Sequence, residues 1–425
     1  MIADSLICRH IIMHFDLFHI RLPARPATPG VRSFATLGGI EAVVRGSTLS
    51  VYPVLLYRAF GDAVIVSQIY FCVGILSLFS GLMIPGLTRL IPRRWVYTLG
   101  VSFYVTSAVL GIVGGNFTAV ALLFNAMGAA TCFVCYNAYV MDNIAKPDLS
   151  KLESLRLFFG GIGWSVGPFL GVFLLQFWHG LPFVIVFAAA SVMMATFWIL
   201  RLGNGRIISR AKAASPNPAV YLRRFFSQPR LIASWFFVVI QSSGWWVFIV
   251  YIGIFSVQNG MSESLGGIAT STANSFLFVA PLMLRWVRRQ SVRHALRTGF
   301  FCVAVCFILG TVFAPYPPAT VAVLIFGAFF LVLLDICGGL PFMMSVKPSE
   351  RTEMSAVYSS FRDVSGILTP GLAWLVLQFT TVSGVFAACG VLMLCAWAVA
   401  GSLHPQLGMP GSERARLRGG LQTNL

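Results

Sequence analysis

Stretches of about 20 mostly apolar residues recur along the chain from Val31 to Leu403, each long enough as a helix to cross the hydrocarbon core of a bilayer. Lipid offers no partner for a backbone N–H or C=O. Segments of this length must therefore close their hydrogen bonds internally, as helices. With 57% apolar and 10% charged side chains over 425 residues, the chain carries more apolar surface than one water-soluble core can hide. A soluble enzyme or soluble binding domain is excluded.

Cutting the apolar region at polar, Pro or Gly breaks predicts twelve helices: 33–57, 64–86, 95–114, 117–141, 156–178, 182–202, 232–256, 264–284, 298–314, 319–342, 357–378 and 382–402. If both ends lie on one side of the membrane, the loops of that side collect 27 of the 30 Lys and Arg residues. Arg58 is then the cation of an opposite loop, and Arg45 and Arg362 fall within spans. An odd helix number would scramble this partition, so charge supports the even count independently and places both termini in the cytoplasm. The net charge of +17 is read as topology and contact with anionic lipid, not as a nucleic-acid surface.

The expected organisation is a cytoplasmic arm (1–32), a six-helix bundle (33–202), a basic linker (203–230), a second six-helix bundle (231–402) and a polar tail (403–425). The arm lacks a continuous signal-peptide core. The halves look duplicated. Lys146-Pro147 precedes Pro168 by 21 residues from its proline, and Lys347-Pro348 precedes Pro370 by 22; Arg89, Arg93 and Arg94 after the second helix answer Arg288, Arg289 and Arg293 after the eighth. Repeats of this kind place a transport site between the halves near the bilayer midplane.

Over residues 33–402 the chain resembles the major facilitator superfamily, on its six-plus-six helices, its basic central loop and two local motifs. Gly163-Trp164-Ser165-Val166-Gly167-Pro168-Phe169-Leu170-Gly171 is similar to the Gly-Pro signature on the fifth helix of the drug/proton antiporters. Its glycines at spacing four form a flat face for close helix approach, and Pro168 removes a backbone donor. Close packing alone would also account for them. The loop Pro85 to Arg94 is similar to the cytoplasmic loop motif, with Arg93 and Arg94 in place but Arg89 where the family has Asp and Pro92 where it has Gly. On the fourth helix, Phe124 occupies the place of the antiporters' membrane-embedded Arg.

Five ionisable side chains fall inside predicted spans: Glu41, Arg45, Asp335, Arg362 and Asp363. Each costs roughly 2.5–3.5 kcal/mol at mid-helix, so they are expected to face a cavity or one another. Glu41 and Arg45, four apart, can pair; Glu41, Asp335 and Arg362 lie at similar depth and are expected to cluster, with Arg362 reaching Asp335. Two cations against three carboxylates leave one carboxylate unmatched, a group suited to proton exchange, with Asp335 the first choice. Permanent structural ion pairs are the alternative.

The resemblance implies that the first, fourth and seventh helices line a cavity, which offers Tyr52, Asn125, Tyr136, Gln241, Trp245 and Trp246; with Asn274 on the eighth helix and Trp164 on the fifth added, the candidate lining is aromatic and amide-rich and suits a small amphipathic organic molecule. Interhelical hydrogen bonds are the plainer role for the amides. Nine Cys include Cys132-x-x-Cys135, but no convincing metal-ligand set emerges and no metal or cofactor is expected. Without a Walker loop or a nucleophile–base pair, the expectation is not an enzyme but a secondary transporter, drawing on a gradient. Proton-coupled export by a monomer in a bacterial inner membrane leads; proton-coupled import of a metabolite, peptide or siderophore-like ligand, and a nontransporting membrane scaffold or sensor, are the rivals.

Overall fold

The computed structural model describes residues 30–144, 149–199, 218–346, 354 and 357–404. Most of the predicted arm and linker, the tail from residue 405, and the Lys146-Pro147 and Lys347-Pro348 pairs lie outside the described residues.

The helices are α1 (Val31–Leu49), α2 (Val51–Phe60), α3 (Ala63–Leu90), α4 (Arg93–Val113), α5 (Phe117–Asn143), α6 (Leu149–Leu174), α7 (Leu181–Ile199) and α8 (Pro218–Phe226). They continue with α9 (Pro229–Gln258), α10 (Ser264–Ser275), α11 (Ala280–Arg289), α12 (Val292–Val312), α13 (Pro317–Cys337), α14 (Leu340–Ser345), α15 (Phe361–Leu377) and α16 (Val382–Ala400). Among the described residues, nine helices are long and apolar enough to cross a membrane. The other three predicted spans are the α1–α2 pair, α6, whose apolar part is Phe158–Leu174, and the shorter α15.

Three spans expected as single helices are broken, and proline explains each. A proline has no N–H, so the carbonyl four residues earlier loses its helical donor. Pro53 strips Leu49, where α1 ends; Pro341 strips Cys337, where α13 ends; Pro281 strips Leu277, inside the 3-10 turn Phe276–Val279 that joins α10 to α11. Helix α12 begins six residues before the expected 298, because Ser291 caps it by accepting the His294 N–H at 3.1 Å. Arg293, His294 and Arg297, expected in or beside a loop, therefore sit on its first turns.

Six helices pack into each of two bundles with equivalent pairings. In the first, α1 packs on α6 and α7, α4 on α5 and α7, and α3 on α5; in the second, α9 packs on α15 and α16, α12 on α13 and α16, and α10 on α13. The duplication seen in the sequence thus holds at the level of which helix touches which. The outer surface keeps large apolar side chains exposed, among them Phe79, Met83, Phe158, Phe326 and Phe379, as suits a body whose surrounding solvent is hydrocarbon.

The tightest packing is between α1 and α6. A Cβ added at Gly46 would lie 2.2 Å from the Gly163 oxygen, one at Gly163 2.7 Å from the Ala42 carbonyl carbon, one at Gly167 2.6 Å from the Gly46 carbonyl carbon, and one at Gly171 2.0 Å from the Ser47 oxygen. The glycine face is the contact surface of these two helices within the first bundle, with backbone against backbone.

Candidate functional site

The bundles meet through α6 on α10, α3 on α15 and α2 on α9. At α6 on α10, Pro168 leaves the Trp164 carbonyl without an intrahelical donor, and Asn274 supplies one across the interface, Nδ2 to O 2.7 Å. One turn along, Ser271 Oγ accepts the Phe169 N–H at 2.8 Å, and Gly267 lets α10 approach the Pro168 carbonyl. Symmetry reproduces the arrangement at α3 on α15. Pro370 frees the carbonyl of Gly366, and a Cβ at Gly74 would lie 3.0 Å from that oxygen.

Further contacts tie the ends that carry the α2–α3 and α9–α10 turns. Arg58 forms an ion pair with Glu263 through Nε and Nη2, and the Ser67 and Tyr251 hydroxyls bond at 2.7 Å. Sequence reasoning missed this latch. Its signal was present, since Arg58 is the solitary cation of its side and Glu263 an acid in a loop of the same side.

On the first bundle's side, Glu41 accepts from the Tyr104 hydroxyl at 3.3 Å, with Arg45 and Arg156 within electrostatic reach. The expected Glu41–Arg45 ion pair is not formed; the Arg45 guanidinium lies over the Trp164 ring, 5.2 Å from its centroid. The close α1–α6 approach explains the difference, because it brings an aromatic face beside Arg45 that sequence spacing along α1 could not reveal.

On the second bundle's side, Asp335 accepts from Gln241 Nε2 and, at 3.0 Å, from Trp245 Nε1. Asp335 is exposed, while its donors stand on α9, which packs against helices α10, α13, α15 and α16 of its own bundle and α2 of the other. The expected approach of Arg362 to Asp335 is not made: Arg362 lies over the Phe133 ring of α5 at 5.4 Å, across the bundle interface, and over Phe361 at 5.7 Å. Asp363 is exposed beside it. Glu41, Asp335 and Arg362 thus belong to separate local settings instead of one cluster.

The aromatic and amide candidates divide. Trp246 is half-buried at the centre, edge-on to Tyr70 of α3 at 6.2 Å and against Gly366 of α15, and Ser242 bonds Ser365 at 2.7 Å nearby. Trp164 and Asn274 belong to the α6–α10 clasp. Tyr52 and Tyr136, expected to line a cavity, are core residues: Tyr52 meets the Ser107 hydroxyl at 2.6 Å, and Tyr136 donates to the Phe34 carbonyl at 2.9 Å. Asn125 lies close to Tyr52, its buried Nδ2 without a hydrogen-bond partner. The reason is helix rotation: packing α5 into α4 turns its tyrosine face inward to the bundle. Arg93 covers the Tyr139 ring at 5.3 Å, and Arg94 is exposed. Among the described residues no group of three or more His, Cys, Asp or Glu stands as a metal site, and Cys132 and Cys135 are buried free thiols.

Two equivalent bundles of membrane-spanning helices, meeting through proline-freed carbonyls, are the architecture of a membrane transporter of the secondary type. The chain belongs to the major facilitator superfamily: the family model described as "Major Facilitator Superfamily" matches residues 34–343. Similar solved structures include the nucleoside transporter NupG (13% identity, TM-score 0.64, covering 88% of this chain and 99% of that one). A POT family transporter in complex with a thioalcohol-conjugated peptide is also similar (12%, TM-score 0.68, 87% and 95%). So is a bacterial homologue of the iron transporter ferroportin in an inward-facing state (17%, TM-score 0.61, 87% and 99%). At these identities the likeness is one of fold. No curated protein matches the sequence significantly.

Proposed function

We propose that this chain is a proton-coupled carrier of a small organic solute, working by alternating access as a monomer in a bacterial inner membrane with both termini cytoplasmic. The two bundles, 33–202 and 231–402, are its moving bodies, and the segment 203–230 joins them. The carrying observation is Asp335: an exposed carboxylate in the last turn of α13, within a membrane span, whose hydrogen-bond partners, Gln241 and Trp245, are neutral donors. Neutral donors orient a carboxylate without cancelling its charge, so charge is cancelled when a proton or a cationic solute group binds. In the first bundle, the cationic and aromatic group of Arg45, Arg156 and Trp164 suits the anionic or aromatic part of an amphipathic solute.

The Arg58–Glu263, Ser67–Tyr251 and α6–α10 contacts lie toward one membrane face, and the charge partition assigns that face to the outside. On this reading these contacts hold the outward end closed. Export is the leading direction, in line with the Gly-Pro segment of α6. Import is the second reading, favoured by Phe124, which packs on Phe103 at 5.6 Å where antiporters of the resembling branch carry an Arg.

A thermal-shift screen of metabolites and drugs identifies the solute. In proteoliposomes of known orientation, Asp335→Asn then abolishes pH-gradient-driven transport while solute counterflow persists. Driven transport at the wild-type rate in Asp335→Asn removes proton coupling from this residue.

A further inference from the structure

A cleft of about 320 Å³ opens on the outer face of the second bundle, between α12 and α16, lined by His294, Arg297, Thr298, Phe301, Cys302 and Trp397. Arg297 sits on the second turn of a membrane helix. Its guanidinium covers the Trp397 ring at 4.7 Å, and its Nε is buried without a hydrogen-bond partner. Neither α12 nor α16 contains a single Asp or Glu. A half-buried guanidinium at the cleft with no carboxylate on either supporting helix leaves a positive charge that an anion entering the cleft can pair.

The surroundings say which anion. The cleft lies on the side where Arg285, Arg289 and Arg293 stand, at the ends of α11 and α12, and its tryptophan marks the depth of the membrane interface. Away from Arg297 the cleft continues into an exposed apolar track, Phe301, Val305, Leu309 and Val312 at helical spacing on α12, with Val391 exposed on α16. Phe301 also packs on Trp397 at 5.8 Å, so the polar head of the cleft and its apolar track share one ring. A free inorganic anion would use the head and leave the track idle. We infer that this cleft is a binding site for an anionic phospholipid, its phosphate held by Arg297 with His294 and Thr298 at the rim, and an acyl chain laid along Phe301 and Val305. The site is separate from the carboxylate of Asp335 and its donors.

The test uses the full chain in dodecyl maltoside micelles doped with phosphatidylglycerol or phosphatidylcholine, with retention of each lipid read by native mass spectrometry. Wild-type protein retains phosphatidylglycerol preferentially, inorganic phosphate does not displace it, and Arg297→Gln weakens retention about fivefold, the loss expected on removing one cation at a lipid surface. Equal retention of the two lipids, displacement by inorganic phosphate, or undiminished retention by a folded Arg297→Gln overturns the site. Should Arg297→Gln fail to fold, Trp397→Leu takes its place, since it keeps the charge and removes the plate beneath it. Unchanged preference in Trp397→Leu also overturns the proposal.

Discussion

Asn274 donates to the carbonyl of Trp164, the carbonyl that Pro168 deprives of its helical donor, so a defect in one bundle is satisfied by a side chain of the other. The bond forms only while α6 and α10 are in contact, which makes it a term that favours the closed interface. Asn274→Leu removes it and is expected to lower stability by about 1 kcal/mol, the usual scale for an interhelical hydrogen bond in a membrane. Pro168→Ala restores the intrahelical donor, so in that background Asn274→Leu costs less. A double-mutant cycle by thermal unfolding checks the coupling; additive effects count against the clasp.

Arg58 and Glu263 bridge the bundles at one end while both remain partly exposed, with side chains 38% and 26% accessible. The pair contributes little to stability, about 0.2–1 kcal/mol. Its position matters more. Cysteines at both sites, joined by a bifunctional methanethiosulfonate reagent long enough to replace the two side chains, are expected to arrest transport, with activity returning on reduction. A cross-linked protein that still turns over at the wild-type rate shows that this end need not open.

Gly163 leaves no room for a methyl group, since a Cβ there would sit 2.7 Å from the Ala42 backbone, whereas a Cβ at Gly161 meets nothing within 4 Å. Gly163→Ala is expected to force α1 and α6 apart at a cost of about 1–3 kcal/mol. Gly161→Ala on the same helix is expected to be neutral or slightly stabilising. Detergent-solution melting curves of the two variants distinguish a packing surface from a merely small-residue segment.

The Arg45 guanidinium over Trp164 joins α1 to the helix that carries Pro168. Trp164→Leu keeps bulk and removes the ring face, and is expected to cost about 0.5–2 kcal/mol, with Arg45→Gln costing less in that background than in the wild type. Equal losses from the second substitution in both backgrounds show that Arg45 acts through another partner.

Lipid made much of the architecture readable from the residues alone. A chain that must satisfy every backbone hydrogen bond within lipid writes its spans as apolar runs, so the helical spans, the two halves and the glycine face at Gly163, Gly167 and Gly171 could be stated before any coordinates. The prolines were visible too, although their consequence, a helix end four residues earlier at Leu49 and Cys337, needed the folded chain to be seen.

Which polar groups meet was decided only in three dimensions. The rotation of each helix about its axis is set by packing against partners far away in sequence: α1 closes on α6 and turns Arg45 to Trp164, α5 turns Tyr136 into the bundle core, and α9 presents Gln241 and Trp245 to Asp335. Depth in the membrane follows from counting residues, but azimuth follows from contacts, and so Asp335 is held by amide and indole where counting alone offered Arg362.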